Sequence, residues 1–181
     1  VRLAHLRELG YPTSLKELAA SRPHVPDAEN LCIPLSTIAN QLQAPREKWV
    51  PYAGNKGLEF ERTEPWSEEA LRDTRSYLAS NSNALSRLPE VIRLPRGDNH
   101  LDYGKGFNML LPQLAKFKSV AQTLAARAGL AAEEGRPHDA LTDHLGMIAV
   151  ARGLDDEPIL ISQLVRIAIE TIACSSVERE I

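Results

Sequence analysis

Apolar residues recur along this chain with helical spacing. Between Met109 and Glu134, the residues Leu110, Leu114, Phe117, Ala121, Leu124, Ala128 and Ala131 follow at alternating steps of four and three. That spacing puts them on one stripe of a helix, with Lys116, Lys118, Gln122, Arg127 and Glu133 off it and free to face water. Gly135 supplies the permissive backbone that ends a helix, and Pro137 suits the first turn of the next. That next helix is predicted over 137–152, with Ala140, Leu141, Leu145, Ile148 and Ala149 as its apolar face. The link is short, so the two helices form an antiparallel hairpin, and Ala121, Ala125, Ala128 and Ala140 let their axes approach closely. Gly153 closes the second helix. Asp155, Asp156 and Glu157 are then placed to cap a third, over 159–177, with Pro158 in its first turn. Leu160, Ile161, Leu164, Val165, Ile167, Ala168, Ile169 and Ile172 spread round most of its circumference, which predicts a helix buried on most sides, the centre of the assembly. The face carrying Val165, Ile169 and Ile172 needs a cover. The N-terminal half, through Leu31, Leu35, Ile38 and Leu42 or through Leu71 and Leu78, is expected to supply it, with a homodimer as the alternative.

Upstream the elements are shorter. Val1 to Leu9 reads as a helix stopped by Gly10 and Pro12, and Ser14 with Glu17 forms a capping pair for a helix to Ala20. Asp27 opens a helix to Leu42 that Pro34 bends or delays. Residues 44–65, with Pro45, Pro51, Gly54, Gly57 and Pro65, form an irregular stretch. Ser67 starts a helix to Leu78, with Ala70, Leu71, Thr74, Tyr77 and Leu78 inward, and a further helix spans 81–92. Residues 94–106 form a second connector, in which a short strand pair within 90–104 is an option. No stretch alternates with period two, so the fold expected is all-α: antiparallel hairpins in an α-α superhelix or an irregular bundle. It forms one domain, with N-terminal helices over 1–43, an irregular region over 44–108 and a three-helix unit over 109–178.

Composition narrows the function more than it identifies it. A net charge of −3 and 5% aromatic residues remove the electrostatic and stacking arguments for nucleic acid. The helix over 14–20 is followed by a proline-rich link and no basic recognition helix. No uninterrupted apolar run has the length of a membrane span, so none is expected here. Cys32 and Cys174 lie far apart in sequence and read as two buried thiols, with a bond between them left open.

Candidate chemistry is thin. The acidic run Asp155–Glu157 is consecutive, which suits a helix start better than a metal site. His138 and His144 are six apart and point to different faces, so His138, Asp139, Asp143 and His144 read as a solvated face. Gly104-Lys105-Gly106 lacks phosphate-loop spacing. No catalytic residue, metal ligand or cofactor motif is expected. One constellation remains as a candidate binding stripe: Gln163, Arg166 and Glu170 on the third helix, where Arg166 and Glu170 can pair as i,i+4 neighbours.

Two resemblances add to this. The first two helices of the unit resemble a tetratricopeptide hairpin at Leu124, Ala128, Ala131 and Ala140, without its usual aromatic positions and without a second copy. A broader one runs through Gly10-Tyr11-Pro12, Leu15, Glu17-Leu18, Pro26 and Glu29-Asn30, then Asp102-Tyr103 and the 111–114 run. It continues through Gly135 with Ala140 and the 157–168 run. These motifs resemble a group of uncharacterised exported proteins of planctomycete and verrucomicrobial bacteria. The resemblance implies no activity and no site residues. It implies an exported or periplasmic location, a tethering segment ahead of this sequence, and a chain trimmed at both ends. The function expected is a helical scaffold or module that binds a protein or peptide. The alternative is an enzyme assembled from distant residues: Arg166, Glu170, Asp102 and Tyr103.

Overall fold

A computed structural model describes residues 2–22, 24–47, 49–53 and 64–180. The proposed irregularity at Gly54 and Gly57, and the chain ends, lie outside the described residues. The described residues are all-α, with helices α1 (Arg2–Glu8), α2 (Leu15–Ala20), α3 (Cys32–Gln41), α4 (Glu68–Ser80), α5 (Ser82–Leu85), α6 (Leu88–Arg93), α7 (Pro112–Glu133), α8 (Pro137–Arg152) and α9 (Leu160–Glu180). Short 3-10 turns occur at Asp27–Glu29 and Tyr103–Asn108. No strand pair forms among the described residues of the 94–106 connector. Its one bridge is parallel, Asn30 with Arg96, where the Leu31 amide donates to the Arg96 carbonyl at 2.8 Å.

Local chemistry explains the boundaries. Ser14 Oγ accepts from the Glu17 amide at 3.2 Å. The Glu17 carboxylate reaches one residue further back than a capping box predicts, to the amide and hydroxyl of Thr13 at 2.7 and 2.8 Å, and these bonds hold its carboxyl below the ordinary value. Pro34 falls in the first turn of α3, so it delays the helix rather than bending it. The helix expected over 81–92 is two, α5 and α6. Asn81 is buried between α4 and α5, where its carbonyl oxygen accepts from the Gln43 amide at 2.7 Å and its amide donates to Tyr77 O at 3.0 Å. Gly135, at φ +70, ends α7 with a double turn: its amide donates to Ala132 O at 2.9 Å and that of Arg136 to Ala131 O at 2.8 Å.

The central helix is α7, not α9. It packs against α3, α4, α8 and α9, and Phe117, Val120, Ala121, Leu124 and Ala125 are fully buried on it. Leu110 is the exception to its predicted stripe, because the helix starts at Pro112 and leaves Leu110 exposed. The N-terminal half folds back, but onto α7 and α6 rather than over α9 as expected: Leu31, Leu35 and Ile38 close that side of the core. Val165, Ile169 and Ile172 of α9 are covered within the three-helix unit, with Ile169 fully buried.

The predicted face of α8 is turned. Ala140 and Ala149 face inward with Gly146, Met147, Val150 and Ala151, while Leu141, Leu145 and Ile148 are about half exposed. Close approach is the reason. A Cβ at Gly146 would lie 3.1 Å from Leu124 Cδ1 and 3.2 Å from Leu88 Cδ2, so the contact admits only small residues and the large aliphatics rotate outward. Trp66 seats on α7 in the same way, its ring 2.4 Å from where a Gly129 Cβ would be.

Candidate functional site

The stripe predicted from sequence forms, and its partners are internal. Gln163 Nε2 donates to the carbonyls of Leu154 at 2.8 Å and Glu157 at 2.6 Å. Arg166 Nε donates to Gln163 Oε1 at 2.9 Å, and its Nη1 to Asp155 Oδ1 and Glu170 Oε1, both at 3.0 Å. These bonds tie the start of α9 to the α8–α9 turn. Asp155 therefore answers Arg166, and Glu157 accepts from Asn99 Nδ2 at 2.6 Å, in place of the helix capping expected of them. Asp102 and Tyr103 sit elsewhere: Asp102 caps Gly104, and Tyr103 lies under the Arg22 guanidinium. No hydrogen bond or ion pair among the described residues joins them to Arg166 or Glu170.

Three polar groupings are buried. In the first, Arg22 donates to the Tyr103 hydroxyl and lies 3.8 Å from Asp98, while Asn30 bonds the Asp98 backbone in both directions, at 2.8 and 2.9 Å. Cys32 is in the same place, its thiol 3.4 Å from Gly153 O. Burial, and then the Glu157 and Asp98 carboxylates, push that thiol up to about 12, so it is not a nucleophile at neutral pH. Glu157 Oε2 and Arg22 Nε are buried there without a hydrogen-bond partner. The grouping holds the N-terminal arm onto the 96–103 connector.

The second grouping corrects the solvated face assigned to α8. His138 and Asp139 are exposed, but Asp143 and His144 are buried. His144 Nε2 lies 3.2 Å from Ser176 Oγ and 3.4 Å from Glu180 Oε1. Serine and carboxylate address the same ring nitrogen, and Ser176 is fully buried, so this is a clamp between α8 and α9 and not a nucleophile–base–orienter relay. In the third, Asp143 takes a bidentate bond from Arg127, with Nε 2.9 Å from both oxygens. Burial pushes the Asp143 carboxyl up, and the guanidinium pulls it back.

Two hollows accompany these elements. One, of ≈ 410 Å³, lies between α3, residues 42–45 and α7, lined by Asn40, Pro45, Tyr77, Lys116 and Gln122 among others. Lys116 is its one charged group and donates to Asn40 Oδ1 at 2.5 Å. The other, of ≈ 280 Å³, is lined by Arg127, Arg136, Asp139 and Asp143, whose charges are paired with one another. Neither brings a nucleophile to a base. Among the described residues no group of three or more His, Cys, Asp or Glu side chains is placed to hold a metal.

Part of the exposed surface is apolar. On α9, Leu160, Leu164, Ile167, Thr171, Cys174 and Glu178 repeat at steps of four and three, and all are exposed. Ser162, Ile169, Ala173 and Ser176 on the opposite side are buried. A helix apolar round most of its circumference is thus packed on one side only, which overturns the expectation of burial on most sides. It also leaves Cys174 exposed rather than buried, and both cysteines are free. On α8, Leu141, Leu145 and Ile148 are about half exposed too, again at steps of four and three. By length and composition α9 is also long and apolar enough to cross a membrane, although Arg166 and Glu170 lie within it.

No family model, curated protein or solved structure matches the chain. The site therefore rests on its own geometry. The sequence carried the signal for the outer face of α9: two seams at coiled-coil spacing on opposite sides of one helix, only one of which a hairpin can cover.

Proposed function

We propose that this protein is a helical interaction module whose working surface is the outer face of α8 and α9. The observation that carries the reading is the pair of aliphatic stripes, Leu141–Leu145–Ile148 and Leu160–Leu164–Ile167, each side chain about half exposed or more. Ile161 is about half exposed as well, so aliphatic side chains recur uncovered along both helices rather than singly. Such a face lowers its free energy when an apolar surface covers it, at roughly 25 cal/mol per Å² before the costs of association. Nothing in the polar groupings competes as a site of chemistry, since each is occupied in holding two elements together. An exported location belongs to the same proposal and rests on the motif resemblance alone; fractionation of source cells with an antibody to this chain tests it.

The test of the surface is local. A photo-reactive amino acid at Leu164 should cross-link to protein in the source cell, whereas the same group at exposed Lys118 on α7 should not. Equal, background labelling from both positions would remove the reading.

A further inference from the structure

The N-terminal arm is held to the rest of the fold chiefly by one side chain. Among residues 3–21 no side chain is buried, and only Thr13, Glu17 and Leu18 are half-buried. The arm's hydrogen bonds are its own. The amides of Leu18 and Ser21 donate to the carbonyls of Ser14 and Glu17, both at 2.9 Å, and Arg7 of α1 pairs with Glu17 of α2 at 3.1 Å. Among the described residues no hydrogen bond or ion pair runs from residues 2–21 to another element. Outside itself, α2 rests on the Tyr103–Asn108 turn, where Leu15 Cδ1 is 3.4 Å from where a Gly106 Cβ would stand. Arg22 is different. Its side chain is 9% exposed, and its guanidinium donates to the Tyr103 hydroxyl, lies 5.4 Å from the centre of that ring and is 3.8 Å from Asp98. Beyond it Val25 is buried, and Leu31 joins the core.

We infer that residues 2–21 form a strap that opens as one unit while the core stays folded, with Arg22 as its latch. Local stability follows buried apolar contact, and the strap has almost none. Helices of seven and six residues do not hold their shape alone in water, so α1 and α2 are ordered only while docked. The exposed pair of Arg7 with Glu17 adds little to that order. The latch is of a stronger kind: a hydrogen bond from a guanidinium and its stack on an aromatic ring, both shielded from water. The core cluster built on Leu31, Leu35 and Phe117 includes no described residue of α1 or α2, so it keeps its contacts when the strap lifts. Lifting uncovers the Tyr103 ring and hydroxyl and takes the Arg22 guanidinium away from Asp98.

The experiment is amide hydrogen exchange of the whole chain, read residue by residue at urea concentrations below the unfolding transition. The Leu18 and Ser21 amides should be protected, but at least about a hundredfold less than that of Leu124 in the middle of α7. Their exchange should stay nearly flat in urea while that of α7 rises steeply, because lifting the strap exposes little surface. Arg22→Ala should speed exchange at Leu18 and Ser21 about tenfold and leave α7 slow. Tyr103→Phe, which keeps the ring and removes the hydroxyl, should speed them less. Leu18 and Ser21 amides that match α7 in protection and in urea dependence would overturn the inference, since the strap would then open only with the whole chain. So would a wild type without protection at either amide, which would leave no docked state to latch. Exchange in both variants equal to the wild type, or faster in α7 by as much as in α2, would overturn the role of Arg22. Should Arg22→Ala fail to fold, Tyr103→Phe and the wild-type urea series decide the matter.

Discussion

Leu124→Ala paired with Gly146→Ala tests the packing that turns α8. Leu124 is fully buried at the middle of α7, and its Cδ1 is 3.1 Å from where a Cβ on Gly146 would sit. Truncation leaves a hole walled by α6, α7 and α8, none of which can collapse far, so the cost is about 3–4 kcal/mol. Gly146→Ala alone gains up to ~1 kcal/mol of helix propensity but presses a methyl against Leu124 and both Leu88 methyls, at 3.1–3.3 Å. Overpacking of that kind costs about 1–3 kcal/mol, so the single change is neutral to destabilising by ~2 kcal/mol. In the double variant the methyl enters the space Leu124 vacates and meets only Leu88. The combined cost should therefore fall short of the sum by about 1–2 kcal/mol. Urea unfolding at one protein concentration, followed by circular dichroism, reads it. With a slope near ~2 kcal/mol/M the Leu124→Ala midpoint moves down by about 1.5–2 M. Costs that add within ~0.5 kcal/mol would show that the two positions do not touch, and the account of why α8 faces as it does would fail with them.

Arg127→Met strips the buried Asp143 of its bidentate partner and should cost about 3–5 kcal/mol at neutral pH. Burial already raises the Asp143 carboxyl, and loss of Arg127 raises it further. A carboxyl raised in the folded state gives stability that is present below its unfolded value, ~3.9, and lost as pH rises through the folded value. The variant should therefore approach the wild type as pH falls, and a gap that widens in acid would refute the pairing. A thiol reagent should label exposed Cys174 at once and Cys32 only as the chain unfolds, its thiol being pushed up to about 12; fast labelling of two thiols would contradict the burial. Four Gly/Ser residues inserted between the exposed residues Gly135 and Arg136 should lower stability by no more than about 1 kcal/mol by melting, and loss of the fold would mean that the turn is packed under another element.

Helix positions were legible wherever a cap or a breaker is local. Ser14, Ser67, Gly135, Pro137 and Gly153 each mark a boundary that the structure keeps within a residue or two. Which side of a helix is buried was legible for α7, whose stripe combines large and small residues on one face, and for α3 and α4, where Leu31, Leu35 and Ile38, and Ala70, Thr74 and Tyr77, are buried as the spacing indicates. For α8 the hydrophobic face was read from side-chain size. The inside of α8 is set by backbone approach, so Gly146, Ala149 and Ala151 outrank Leu141, Leu145 and Ile148. Asp143 and His144 were missed for a related reason: their partners, Arg127, Ser176 and Glu180, lie on other helices, and no spacing within α8 announces them. The stripe Gln163–Arg166–Glu170 was found from its spacing. Its dependence on the carbonyls of Leu154 and Glu157 is tertiary, and no sequence pattern carries it.

These misreadings bear on function. A helix pair that buries its glycines and alanines and exposes its leucines has its strongest apolar signal on the outside. In the three-helix unit, close packing of α7 on α8 fixes the rotation of α8, and the His144–Ser176–Glu180 clamp then fixes α9 beside it. Neither contact leaves freedom to turn Leu145 or Leu164 inward. Turning α8 to bury Leu145 would move Gly146 off Leu124 and expose Asp143, breaking a buried ion pair for one aliphatic side chain worth about 2 kcal/mol. The exposed face is therefore a consequence of the core, held in place by it, and rigid before anything binds. A preformed apolar surface loses little conformational entropy on association. That is the physical ground for reading the outer side of α8 and α9 as the working surface of the protein rather than as a defect in its packing.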